Sequence, residues 1–163
     1  MNTYLPSEEI AKGLGISFTI WNILNLIAMI VPIKDIHLSR EDRLDMRNRM
    51  VSFVHGCISF SLASYHAYFL YNECGSLNSE FEKLCLYISC GYFMYDFAAM
   101  GVLGLMDWGM FIHHTMCIVG AYISLCEGIS GNYFVMALYI TEISNPVMHC
   151  RVIIKHQWMR YTK

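Results

Sequence analysis

Two adjacent histidines, His113 and His114, interrupt the apolar run "GMFIHHTMCIVGAY". Asp96 interrupts a second run, "GYFMYDFAAM", and Glu142, Asn145 and His149 fall along "TEISNPVMHC". His55 and His66 lie in a third apolar stretch. A buried ionisable group is costly unless it meets a partner, and a histidine beside a buried carboxylate is held in one tautomer and made a better base. The chemistry these residue types suit is therefore proton transfer in a water-poor place. Consecutive helical positions diverge by about 100°, so His113 and His114 face different ways. One is expected to face a cavity and the other a neighbouring helix or the headgroup region. Purely structural roles stay open: histidines near a helix end can snorkel, and Asp96 can serve as polar glue between helices. Histidines and carboxylates at one depth could also hold zinc or iron. No HxxxH or ExxH spacing supports that, so no metal is expected. There is no glycine-rich phosphate loop or GxSxG elbow, and no cofactor is expected.

The elements that must position these residues are apolar. The chain has 163 residues, of which 56% are hydrophobic and only 15% charged. Soluble domains carry about 25% charged residues. Five apolar segments can be marked, at 13–31, 50–71, 84–106, 109–126 and 132–154. A helix needs about 20 residues to cross the hydrocarbon core, so the fold expected is all-α, a multi-pass transmembrane bundle of about five spans occupying residues 13–160. Pro146 lies in the fifth segment and is expected to kink it, freeing a carbonyl near Glu142. The start, "MNTYLPSEEIAKG", is acidic where a secretory signal would be basic, and the first apolar stretch reads as a retained helix.

Basic residues set the orientation. Lys34, Arg40, Arg43, Arg47 and Arg49 cluster in 32–49, read as a loop, and Arg151, Lys155, Arg160 and Lys163 cluster at the C-terminus. Both clusters belong on the cytoplasmic side, which places the N-terminus in the lumen or outside. The membrane is expected to be the endoplasmic reticulum or the plasma membrane. With this topology Asp96 lies roughly 15 Å deep from the cytoplasmic face. His55, His113, His114 and Glu142 fall in the same half of the bilayer, and His66 is the exception, near the outer end. The net charge of −2 gives no hint of a nucleic-acid partner. Of seven cysteines, Cys57, Cys90, Cys117 and Cys150 read as small apolar residues. Cys74 and Cys85 flank a polar loop and could pair if it faces an oxidising lumen.

The pieces "VHG" at 54–56, "GYFMYD" at 91–96, "HHT" at 113–115, "EGISGN" at 127–132 and "TEISNP" at 141–146 stand in this order. With Arg151 behind them, they resemble the TLC-domain proteins over about residues 15–160, and the chain looks closest to a small member of that family. The family usually continues with one or two more helices, so a C-terminally shortened form is expected. In its ceramide synthases the paired histidines and intramembrane aspartates form an acyl-transfer centre. The resemblance implies catalytic roles for His113, His114, Asp96 and His55: His113 as base or transient acyl carrier, Asp96 as its orienter, and His55 or Glu142 as a second proton handler. The second acidic pair of the synthases has only Glu142 as a counterpart. The function expected is lipid metabolism or lipid homeostasis, with a membrane lipid or fatty acyl chain as partner. An N-acyltransferase fed by acyl-CoA is one alternative, and a cargo receptor or a structural membrane protein is another. The basic segment 32–49 could meet a CoA phosphate, although a solvated positive loop is its ordinary reading. The oligomeric state is not legible.

Overall fold

The computed structural model describes residues 7–33, 38–73 and 75–157. The chain runs α1 (Ser7–Ile30), α2 (Arg40–Tyr65) continuing into a π-helical turn (His66–Leu70), α3 (Glu80–Leu103), α4 (Trp108–Glu127), α5 (Gly131–Glu142) and α6 (Asn145–Gln157). The described residues hold no strand, and the fold is the all-α bundle the composition implies. Helices α1, α3 and α4 are long and apolar enough to cross a membrane. Many of their outward residues are apolar, among them Ile20, Leu26, Val102 and Met116, as expected of faces that meet lipid.

The caps explain where the helices start and stop. Ser79 and Glu82 form a reciprocal capping box at the start of α3. Gly104 and Gly128, with φ of 70° and 68°, adopt the left-handed conformation that ends α3 and α4. Asp107 starts α4 by accepting from the Met110 amide at 2.9 Å.

Two expectations are corrected. The segment 32–49 is not all loop, because residues 40–49 are the first turns of α2. Ser39 caps them by accepting from the Asp42 amide at 3.0 Å, Glu41 and Asp42 occupy the first turn, and Arg49 pairs with Asp45 at 2.7 Å. Met46 and Asn48 are already buried. The fifth segment is not one kinked helix but two short ones, α5 and α6, broken between Glu142 and Asn145. Pro146 has no amide hydrogen to continue the α5 ladder and suits the first turn of a new helix. The pairing of Cys74 with Cys85 involves Cys74, which lies outside the described residues; Cys85 is buried within α3.

Helices α2 and α3 form the middle of the bundle, with α1 and α4 against α3 and with α5 and α6 against α2. Trp21, Val51, Ala63, Tyr92, Phe93, Tyr95 and Leu138 make the main core. At Gly91 on α3 the α1 backbone comes so near that a Cβ would stand 3.0 Å from the Phe18 amide nitrogen and on top of Ser17. Trp21 Nε1 donates to the Ile88 carbonyl at 3.0 Å across the same contact. On the other side Gly56 makes room for the broken helix. A Cβ there would meet Pro146 Cγ at 3.2 Å and Glu142 Oε2 at 3.4 Å.

The end of the bundle beyond His66 is closed by hydrogen bonds. His66 Nε2 meets Glu82 Oε1 at 2.9 Å, both side chains fully buried, and Asn72 donates to the same oxygen at 3.1 Å. Asn78 ties three segments together. Its amide donates to the Gly128 carbonyl at 2.8 Å, its Nδ2 donates to the Ser124 carbonyl at 2.8 Å, and its Oδ1 accepts from the Gly131 amide at 2.7 Å.

Candidate functional site

At the opposite end the helices part around a cavity of about 740 Å³. The α5–α6 break supplies one wall and the first turns of α2 another. His55, Asp96, His113, His114, Glu142, Asn145 and His149, the residues singled out from the sequence, all line it. His66 does not; it lies at the closed end with Glu82.

The histidine doublet divides as helical geometry requires. His114 is buried and His113 is exposed. His114 Nε2 lies 2.7 Å from Asp96 Oδ2, and its Nδ1 lies 2.8 Å from the Met110 carbonyl one turn back. Asp96 therefore orients His114 and not His113, a correction to the pairing expected. Asp96 Oδ1 accepts from Asn48 Nδ2 at 2.7 Å, and Asn48 Oδ1 accepts from the Tyr95 hydroxyl at 2.8 Å. Every member of this chain is committed to another. Among the described residues, His113 by contrast meets the Cys117 sulfur through its nitrogens, at 3.8 and 3.9 Å, and its ring stands edge-on to Phe93. His113 also lines the cavity, without a carboxylate on either ring nitrogen.

His55 forms a second centre. Its ring stacks on Tyr92 with centroids 3.7 Å apart and is edged by Trp21 and Phe93. Nε2 meets Ser59 Oγ at 2.8 Å, and Nδ1 faces Glu142 Oε2 at 4.0 Å. Asn145 donates to that carboxylate oxygen at 3.1 Å, across the helix break. The break thus places the C-terminal end of α5 and the N-terminal end of α6 at the cavity wall, an arrangement in which half-helix ends add polarity to a binding site.

Fixed charge at the cavity is acidic. Among the described residues lining it, buried Asp96 and Glu142 are joined toward the rim by Glu41, Asp42, Asp45 and Asp107, against one arginine, Arg49, which is itself paired with Asp45. Among the described residues no group of histidines, cysteines and carboxylates is arranged to hold a metal ion.

Sequence reasoning missed Asn48, Tyr95 and Ser59. A signal for two of them exists: Asn48, His55 and Ser59 are spaced by seven and four, one face of a helix, and a helix begun at the Ser39 cap carries them all.

A family model of the TLC domain matches residues 45–160. The chain is 25% identical, over 172 aligned residues, to TLC domain-containing protein 4 A of Dictyostelium discoideum; the alignment covers 95% of this chain and 63% of that protein. The chain thus spans less than two thirds of that relative's length. No solved structure gives a significant match.

Proposed function

This chain belongs to the TLC-domain family, whose members are integral membrane proteins generally concerned with lipids, and from that premise we propose that its cavity takes a membrane lipid by the headgroup and transfers an acyl group to or from it. The observation that supports the reading most is the split doublet. A closed Asp96–His114 pair stands beside an open His113, and both reach one cavity. In the proposed reaction His113 takes the proton of a lipid amine or hydroxyl as its nitrogen or oxygen attacks the acyl carbonyl. The bond to the leaving group then breaks, and His113 returns the proton to that group. His55, held by Ser59 and near Glu142, is the second proton handler. The acidic rim opposes the phosphates of CoA and suits a neutral or cationic headgroup. A lipid ester is therefore a better acyl donor for this cavity than acyl-CoA.

One observation favours a second reading. The chain from Tyr95 to Met110 is satisfied internally, as polar glue would be, and a lipid-homeostasis factor without turnover could use the same cavity. The lipidomes of cells expressing wild type and His113→Ala at equal levels separate the two. The enzymatic reading expects at least one lipid class to change with wild type and to return to the vector control with His113→Ala. If wild type and His113→Ala shift the lipidome equally, catalysis is lost as an explanation and binding remains.

We further propose that the cavity opens to the cytoplasm, with the N-terminus in the lumen or outside, in the endoplasmic reticulum or plasma membrane. Arg40, Arg43, Arg47 and Arg49 at the start of α2 support this orientation. An Asn-X-Ser acceptor inserted in the segment 75–79 is expected to be glycosylated. An unmodified acceptor there, with one inserted in 104–107 modified instead, reverses the topology.

A further inference from the structure

We propose that Asn48, itself held by Tyr95, is a positioning residue that fixes the Asp96–His114 pair as carboxylate and imidazolium. The argument is one of donors and acceptors. The Met110 carbonyl can only accept, so the His114 Nδ1 at 2.8 Å carries a proton. That leaves one proton for the 2.7 Å contact between His114 Nε2 and Asp96 Oδ2. Two states satisfy it: neutral imidazole with a protonated aspartic acid, or imidazolium with carboxylate. The other carboxyl oxygen decides between them. Asp96 Oδ1 accepts from Asn48 Nδ2 at 2.7 Å, and a donor on that oxygen stabilises the ionised form.

The Asn48 amide is not free to turn its oxygen toward Asp96. A flipped amide would set its Oδ1 against Asp96 Oδ1, two acceptors face to face, whereas as placed Nδ2 donates to Asp96 and Oδ1 accepts from the Tyr95 hydroxyl at 2.8 Å. Asn48 and Asp96 are 5% and 3% exposed, and Tyr95 is 1% exposed. Little water competes for any of these bonds, which makes each of them count for more. Ser52 anchors the same turn of α2 by donating to the Asn48 carbonyl at 3.1 Å.

The consequence for the cavity is a division of roles inside the doublet. With both ring nitrogens of His114 bearing protons, His114 has no lone pair to offer, and both Asp96 oxygens are already accepting. It is a fixed dipole beside the reacting group, and the basic lone pair is left to His113. This inference rests on the proposed function only for that purpose; the placement of the proton is a property of the protein without ligand.

The test is made on the full chain in lipid nanodiscs, with histidine rings labelled with nitrogen-15, by solid-state NMR. Wild type is expected to show an imidazolium whose two N–H signals vanish in His114→Gln. In Asn48→Leu that imidazolium signal is expected to be lost and replaced by a neutral ring protonated at Nδ1. A protonated-carboxyl infrared band should appear with it and be absent in the double variant carrying Asp96→Asn. Tyr95→Phe removes one oxygen, leaves the packing in place, and should convert part of the imidazolium population. It carries the test if Asn48→Leu does not fold. A neutral His114 in wild type, or an imidazolium unchanged in Asn48→Leu or, where that variant does not fold, in Tyr95→Phe, overturns the proposal. Failure of the proposed function is seen separately, as a lipidome that His113→Ala does not alter while these spectra behave as expected.

Discussion

Asp96→Ala is expected to lower the stability of the bundle by about 3–5 kcal/mol, the cost typical of removing one partner of a buried ion pair. Its carboxyl is the hub of the site. One oxygen takes the Asn48 amide and the other takes His114, each at 2.7 Å. Alanine removes the acceptor shared by two donors whose side chains are almost fully buried, Asn48 at 5% and His114 at 1% exposed. Asp96→Asn keeps the volume and one acceptor, and its expected cost is smaller, about 1–3 kcal/mol, that of a buried polar group left unsatisfied. The two variants and wild type, unfolded by heat in one detergent with helicity followed by circular dichroism, give the order wild type, Asn, Ala. An Asp96→Ala protein as stable as wild type would show that the network around Asp96 holds nothing together.

The second large effect is expected at the contact between α1 and α3. Gly91→Ala places a methyl group on Ser17 and 3.0 Å from the Phe18 backbone nitrogen. Backbone cannot rotate aside as a side chain can, so α1 must move away from α3. Overpacking of this kind costs typically about 1–3 kcal/mol, and the shift also strains the Trp21 to Ile88 bond. Gly15→Ala is the control: a Cβ there meets nothing within 4 Å, and alanine favours a helix by about 1 kcal/mol over glycine. Opposite signs for the two substitutions in the same unfolding assay are expected. Equal effects would mean that α1 is not seated on α3 as described.

The parts of the fold legible in the sequence were those set by composition. The apolar segments at 13–31, 84–106 and 109–126 became α1, α3 and α4 because long apolar runs with caps leave few alternatives. The gathering of His55, Asp96, His113, His114 and Glu142 was legible from depth alone, since groups at one level on packed helices meet. What depth could not supply was partner choice. That Asp96 meets His114 and leaves His113 open depends on the rotation of α4 about its axis, which charge counts do not report. The first turns of α2 were hidden by their own arginines. Lysine and arginine counts mark a side of the membrane, and they do not tell loop from a helix that projects beyond the bilayer edge. The break before Pro146 was seen as a kink because proline signals an interruption without giving its size. The room that Gly56 offers the α5–α6 junction is a tertiary fact.

The closure beyond His66 has a mechanical meaning. Asn78 joins the α2–α3 connection to both sides of the α4–α5 turn, and the buried His66–Glu82 pair locks α2 to α3 at the same level. Spreading the helices there would break hydrogen bonds that little water can replace. Around the cavity much of the separation is already present. Any opening of the bundle is therefore expected to be smallest at Asn78 and largest at the acidic rim. In mechanical terms the bundle is a clothes-peg, with its jaws at the acidic rim and its spring at the Asn78 end.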